Sequence, residues 1–314
     1  MAWEYEGLFD ALPPEDDGGL LEEFWRTEKT EIRIGSMGYR TRTTKAGTRL
    51  EAEVYPIFGR DMERTAKEAR ANITPERQKQ LNVRRAKRRL FLLMEANFRT
   101  EEDIHVTLTY SEATGEPDER KCRKDIRNFL NRVRRARDKR RLPEMKYIYA
   151  IGHDRDQRTH VHCVMTGGIG RDELERIWGK GYANTIRLQS YGQGMQGMAS
   201  YLYRQNEKEK DRGNRVNYHM WSGSRNLVKP KERVSDSKVS RRRVKAIAQS
   251  FGNAAREIME KIYPGYSLEH TSVAFSDVVD GVYIRCVLRK LPPDNIVRMR
   301  KEQGRHDKGR KATA

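Results

Sequence analysis

From Asp103 to Gln189 the apolar positions switch repeatedly between strand-like alternation and helical spacing. DIHVTLTY (103–110) alternates and predicts a strand. In DERKCRKDIRNFLNRVRRARDKRRL (118–142), Ile126, Phe129, Leu130 and Val133 recur at helical spacing and predict one apolar face. MKYIYAIG (145–152) and THVHCVMTG (159–167) read as strands joined by the polar turn 153–158. GRDELERIWG (170–179) reads as a short helix and YANTIRLQ (182–189) as a strand. The order β-α-β-β-α-β predicts an α+β, ferredoxin-like core: an antiparallel sheet with helices on one face and the other face free for a substrate.

The flanks extend this core. Alternation from Glu31 to Phe58, with Ile32 and Ile34, a turn at Lys45-Ala46-Gly47, and Leu50, Ala52 and Val54, predicts an N-terminal β meander. Thr74 as N-cap and Pro75 at the first helical position open a helix carrying Val83, Ala86, Leu90 and Leu93 at helical spacing. After the core come a glycine-spaced helix (GQGMQGMASYLYRQNEKEK), the loop WSGSRNLVKP, and a basic helix from Ser240 to about Tyr263. A hairpin turning at Asp280-Gly281 follows. The expected organisation is an acidic flexible tail (1–30), an N-terminal β extension (31–74), a core (75–232), a C-terminal helix and hairpin packed on the core (233–300), and a basic tail (301–314).

Charge narrows the partner. Lys and Arg number 64 against 45 Asp and Glu, a formal net charge of +19 over 314 residues. The sequence pI is about 9.9 and the mean hydropathy −0.94. Such a field favours a polyanion, nucleic acid first. A membrane surface is the rival, but no run is apolar enough to span a bilayer and the acidic opening is no signal peptide. Cys122, Cys163 and Cys286 are widely spaced, which fits reduced thiols in the cytoplasm better than a disulfide framework.

Chemistry concentrates in DQRTHVHCVMTGG (156–168). On a strand, His160 and His162 point to one side and Val161 to the other. Two neutral imidazoles on one sheet face can ligate Mg²⁺ or Mn²⁺ over a phosphate; the alternative is that they merely pack or face solvent. MASYLYRQ adds Tyr201 and Tyr203, separated by roughly 200° around a helix, so only one can face such an ion. The alternative here is that both flank an inward stripe of Met195, Met198 and Leu202 as packing aromatics. Arg134 and Arg135 lie in a helix with little interleaved acid, and Arg225 and Lys229 in WSGSRNLVKPK; both stretches suit phosphate contacts or single-stranded backbone, or are simply solvated surface. His105 reads as a surface strand residue.

Taken together, HVTLTY, HVHCVM and YLYR, in that order and spacing, with LNVRRAKRRLFLLMEANF upstream and SRNLVKP downstream, resemble the HUH endonucleases of the replication-associated type, relatives of filamentous-phage and plasmid rolling-circle initiators. The likeness covers roughly residues 30–290. It implies an HUH endonuclease core in which His160 and His162 ligate the metal and Tyr201 is the nucleophile, with Tyr203 the alternative. Arg204 stands where that family's lysine would be and would contact DNA. Two departures follow. Gly152 occupies the place of the usual third ligand, a glutamate, so His153 or Asp154 would substitute, or water and substrate complete the site. If the turn pairs His153 with Thr159, Gly152 lies opposite His160 and Ala150 opposite His162. Gly197 stands where a second tyrosine four residues earlier would be, which favours a single working tyrosine.

The resemblance implies a metal-dependent nickase that opens one strand at a replication origin through a 5′-phosphotyrosine intermediate. Its partners would be single-stranded or origin DNA and, because no Gly-x4-Gly-Lys-Ser/Thr loop occurs, a host helicase and polymerase. A relaxase or transposase would use the same chemistry. The rival from another class is a non-catalytic nucleic-acid-binding module of RNA-recognition type, with Tyr147 and Tyr149 as its exposed aromatics.

Overall fold

The computed structural model describes residues 38–57, 74–115, 117–153, 159–189, 195–210, 221–275 and 281–292. In chain order these form β1 (Tyr39–Ala46), β2 (Arg49–Pro56), α1 (Pro75–Asn97), β3 (Ile104–Tyr110), α2 (Glu119–Lys139), β4 (Tyr147–His153), β5 (Thr159–Met165) and α3 (Arg171–Trp178). They continue with β6 (Gly181–Arg187), α4 (Gln196–Lys210), β7 (Ser222–Gly223), β8 (Lys231–Ser235), α5 (Arg241–Gln249), α6 (Ala255–Ile262), β9 (Tyr266–Phe275) and β10 (Val282–Lys290). The chain divides into two compact units, Met1–Arg85 with Pro230–Ala314, and Ala86–Lys229. The expected tails 1–30 and 301–314, Ile32, Ile34 and Asp280 lie outside the described residues.

The first unit is a five-stranded antiparallel sheet in the order β8-β1-β2-β10-β9. Alternation decides its faces. Tyr39, Leu50, Ala52, Val54, Val282, Ile284, Cys286 and Leu288 point to one side, where Val244, Ile247 and Ala248 of α5 and Ala255 and Met259 of α6 close the core. The opposite face buries ions in a cross-strand ladder. Arg42 Nε meets Glu53 Oε2 at 2.6 Å, Arg49 Nε meets Glu51 Oε1 at 2.9 Å, and Arg285 Nη2 meets Glu51 Oε1 at 3.2 Å. Removing one partner would strand a buried charge, so these pairs hold register more than they add stability.

Three expectations change here. The 31–74 extension and the 233–300 region are not separate additions, because β10 is hydrogen-bonded to β2 and both belong to one sheet. The single helix expected from Ser240 to Tyr263 is two. The chain turns at Phe251 (φ 49°) and Gly252 (φ 93°), and Ser250 Oγ accepts from the Ala254 N–H at 2.9 Å. Lys231–Ser235, expected as the tail of a loop, is an edge strand paired with β1.

The second unit, 86–229, falls within the expected 75–232 core and has the expected β-α-β-β-α-β order. Its antiparallel sheet runs β6-β3-β5-β4-β7. Asp118 caps α2, accepting from the Lys121 N–H at 2.6 Å. The α2 stripe Ile126, Phe129, Leu130 and Val133 packs with Leu174 and Trp178 of α3 on one sheet face. Trp178 is fully buried, edge-on to Tyr110 and Phe129, and its Nε1 donates to Thr109 O at 3.0 Å. Gly179 ends α3 in the left-handed region (φ 60°), the usual C-terminal stop.

The other sheet face was expected to be free, and only part of it is. α4 packs along β4, burying Met195, Ala199, Leu202 and Tyr203, and Ile148 and Val164 beneath are wholly buried. Ala199 takes the inward position expected for Met198, which is half-buried. The Met195 N–H donates to Glu95 Oε1 of α1 at 3.0 Å, fixing the start of α4. WSGSRNLVKP is held rather than loose: β7 pairs with β4, Tyr147 N–H donates to Ser224 Oγ, and Asn97 bonds both N–H and C=O of Val228. Among the described residues no helix is long and apolar enough to cross a membrane.

Candidate active site

Strand pairing brings the site together. In the β4–β5 hairpin His153 lies opposite Thr159, Gly152 opposite His160 and Ala150 opposite His162, the register expected from the turn. On the other side of β5, Thr109 lies opposite His160 and Thr107 opposite His162. β6 continues these rows with Tyr182 beside Thr109, Asn184 beside Thr107 and Ile186 beside His105. The sheet face is therefore graded: an edge of larger side chains, a threonine row, the histidine pair, and a recess floored by Ala150 and Gly152.

Tyr201 completes the cluster from α4. Its hydroxyl lies 3.2 Å from His162 Nε2, and the rings stand edge-on with centroids 4.8 Å apart. His162 Nδ1 lies 3.2 Å from Thr107 Oγ1. Two tautomers satisfy both contacts, but only the one with Nδ1–H donating to Thr107 leaves the Nε2 lone pair for a cation or for the phenol proton. His160 stands edge-on to His162 with centroids 4.7 Å apart. Tyr203 points elsewhere: it is buried, with Lys87 Nζ 5.3 Å from its ring centroid.

His105 corrects the sequence reading. It is buried rather than on the surface, its ring stacked on His162 at 5.4 Å, 6.2 Å from the Tyr201 ring. Its Nε2 is buried without a hydrogen-bond partner among the described residues. The signal was parity: His105, Thr107 and Thr109 share a strand face, but only the β3–β5 pairing shows that this is the histidine face. Thr107 was missed for the same reason.

Burial sets the electrostatics. It pushes the His162 imidazole down to about 3, helped by the neighbouring His160 and His105, and His105 down to about 4. Both rings are neutral at physiological pH, the form that ligates a metal. Burial also raises the Tyr201 phenol above its ordinary value. Proton transfer from such a phenol to so weak a base is strongly uphill, so His162 alone cannot ionise Tyr201. The donor set fits a divalent cation: two adjacent neutral imidazoles beside a phenol that needs a positive charge to ionise. Among the described residues no three His, Cys, Asp or Glu side chains are grouped to hold an ion, so water or substrate would complete its coordination.

Residues 103–210 match the family model for replication-associated proteins of the ORF2 and gene II protein type. The match spans about a third of the chain and contains His105, His160, His162 and Tyr201. No curated protein and no solved structure matches the chain. The likeness ties this replication-associated region to the initiation of DNA replication.

The remaining expected residues fall outside this cluster. Arg134 and Arg135 on α2, and Arg225 and Lys229 after β7, are exposed. Arg134 donates to Asn131 Oδ1 at 3.1 Å, and both Arg134 and Arg225 act electrostatically on Tyr147. Asp154 and the side chains of His153 and Arg204 lie outside the described residues. Tyr147 and Tyr149 stack on each other and pack against the core on the α2 face, away from the histidines. The RNA-recognition reading needed them on the open face.

Proposed function

We propose that the protein is a metal-dependent single-strand DNA endonuclease that nicks a replication origin through a 5′-phosphotyrosine intermediate. The observation that carries this reading is the Tyr201 hydroxyl 3.2 Å from His162 Nε2, inside a histidine cluster and inside the replication-associated region. His160 and His162 would hold a divalent cation, and imidazole ligands without a carboxylate favour Mn²⁺ over Mg²⁺. When bound, the ion supplies positive charge that polarises the phosphate and makes the phenol acidic. Thr107 holds the His162 ring, and α4 presents the phenol over the histidine face. The Tyr201 oxygen attacks phosphorus in line; the Tyr–O–P bond forms, the P–O3′ bond breaks, and the 3′ oxygen leaves as a hydroxyl after taking a proton from water. The phenol proton goes to solvent. Attack by a 3′-OH on the phosphotyrosine reverses the step and reseals the strand. Arg134, Arg135, Arg204, Arg225 and Lys229 would carry phosphate contacts, with a host helicase and polymerase acting on the opened origin.

The test is incubation of the full chain with a library of single-stranded DNA and Mn²⁺, followed by sequencing of the covalently attached strands and mass spectrometry of the trapped peptide. Tyr201→Phe should abolish the adduct while salt-sensitive DNA binding survives, and Tyr203→Phe should keep most nicking. A nick without protein-linked DNA would replace the tyrosine mechanism by hydrolysis, and an adduct on Tyr203 would reverse the assignment.

A further inference from the structure

Among the described residues six large hydrophobic side chains are exposed: Tyr182, Ile186, Tyr201, Val228, Val234 and Phe251. Three of them, Tyr182, Ile186 and Tyr201, lie on the one sheet face that carries the histidines. Parity fixes this placement. Tyr182 pairs with Thr109 and Ile186 with His105, whereas Ala183 between them is buried in the core on the α2 side. Tyr182 is 68% exposed and Ile186 51%, on a strand at the edge of its sheet. An exposed apolar edge strand is a liability that proteins usually blunt with charge, so an aromatic retained there has a use.

The row geometry says what use. Tyr182, Thr109 and His160 follow one another across three adjacent strands, so Tyr182 sits about 10 Å from the His160 backbone, two strand spacings. A strand whose phosphate lies over His160 and His162 and whose backbone runs toward β6 carries its next base over this edge. The threonine row between presents small hydroxyls rather than a barrier. Asn184, exposed between the two apolar side chains, adds a donor and an acceptor at the same level. No exposed acid among the described β6 side chains repels the backbone.

We infer that Tyr182, flanked by Asn184 and Ile186, is a base-stacking ledge that binds single-stranded DNA beside the Tyr201 site, positioning the nucleotide next to the scissile phosphate. The inference rests on the proposed nicking reading for the position of that phosphate. A ring stacks on any base, so the ledge holds single strands with little sequence preference, while a duplex, whose bases are already stacked, gains nothing from it.

The experiment measures binding of a fluorescein-labelled, mixed-sequence 20-nucleotide single strand and of its duplex to the full chain by anisotropy over a range of salt, with the adduct assay run alongside. Tyr182 is exposed, so its variants leave the core intact. Tyr182→Ala should weaken single-strand binding by about 5- to 150-fold, the range of one lost base–aromatic stack. Tyr182→Phe should bind as the parent does, duplex binding should not change, and the salt slope should stay the same because no phosphate contact is lost. Unchanged single-strand binding in Tyr182→Ala, an equal loss in Tyr182→Phe, or a reduced salt slope would each overturn the ledge. Should the adduct prove independent of Tyr201, the nicking reading falls by itself. Should the adduct depend on Tyr201 while Tyr182→Ala binds normally, only the ledge falls.

Discussion

Thr107→Val removes one hydroxyl and keeps the side-chain shape, which isolates the contact between Thr107 Oγ1 and His162 Nδ1 at 3.2 Å. His162 is only 3% exposed, so water cannot replace the lost partner. A buried polar group left unpaired costs about 1–3 kcal/mol. For a domain of this size each kcal/mol lowers Tm by about 2–4 °C. The second effect is specific to the site. While Nδ1–H donates to Thr107, Nε2 is held as a lone pair facing Tyr201; without the hydroxyl the ring can tautomerise or rotate, and its ligand nitrogen is lost. Removing a group that orients a metal-binding histidine costs about 10- to 100-fold in metal affinity. The assay is adduct formation titrated with Mn²⁺, paired with thermal unfolding of the same samples. The half-saturating Mn²⁺ should rise by that factor while the rate at saturating Mn²⁺ falls much less, and Thr107→Ser should restore both. A normal Mn²⁺ titration in a destabilised Thr107→Val protein would refute the tautomer argument and leave Thr107 a packing residue.

Three further outcomes follow from other parts of the molecule. Trp178→Ala empties a fully buried site between Tyr110 and Phe129 and orphans Thr109 O, so urea unfolding should show a loss of about 3–5 kcal/mol, with Trp178→Phe losing less. Burial pushes the Cys286 thiol up to about 12, with the contact to Thr271 opposing it weakly. The folded pKa lies above the unfolded one, so this stability is fully present below about pH 9 and is lost as pH rises toward 12, at most about 1.4 kcal/mol per pH unit; Cys286→Ala should flatten that alkaline slope in chemical denaturation. Gly152 lies opposite His160, so Gly152→Asp should place a hard oxygen donor beside the imidazoles and lower the Mg²⁺ needed for nicking relative to Mn²⁺; an unchanged Mg²⁺/Mn²⁺ ratio would argue against an ion at that place.

Local rules made the centre of the site legible in the sequence. Alternation put His160 and His162 on one face, and the length of the 153–158 turn gave their opposite numbers, Gly152 and Ala150, because a hairpin register depends only on the turn. Helical angle separated Tyr201 from Tyr203 for the same local reason. What stayed hidden depends on pairing between distant strands. His105 joins the cluster only because β3 pairs with β5, and nothing in HVTLTY alone tells which side of that strand will be covered. The N-terminal meander and C-terminal hairpin form one sheet through Val54↔Ile284 and Ala52↔Cys286, a contact that neither segment signals by itself. β8 escaped because KERVS has a single apolar residue, Val234, which is itself exposed.

The placement of the two tyrosines constrains how a strand once opened can be closed. On the proposed chemistry a second phenol near the same phosphate would allow the bond to pass from one tyrosine to the other. Tyr203 cannot serve: it is buried on the packed side of α4 beneath Lys87, and turning it toward His162 would pull Leu202 and Ala199 out of their contacts. Tyr201 is the reverse case, 36% exposed yet hydrogen-bonded to His162, accessible to DNA on one side and fixed on the other. With one tyrosine at the histidines, the phosphotyrosine is resolved by a 3′-OH, the end just released or the one made by a completed round of synthesis. The enzyme then returns to its starting state with one bond broken and one formed, and needs no second nucleophile. The neutral histidines suit this reversibility. They carry no charge to repel the phosphate in either direction, and the polar contact of His162 with Tyr201 is available before the bond forms and again after it is undone.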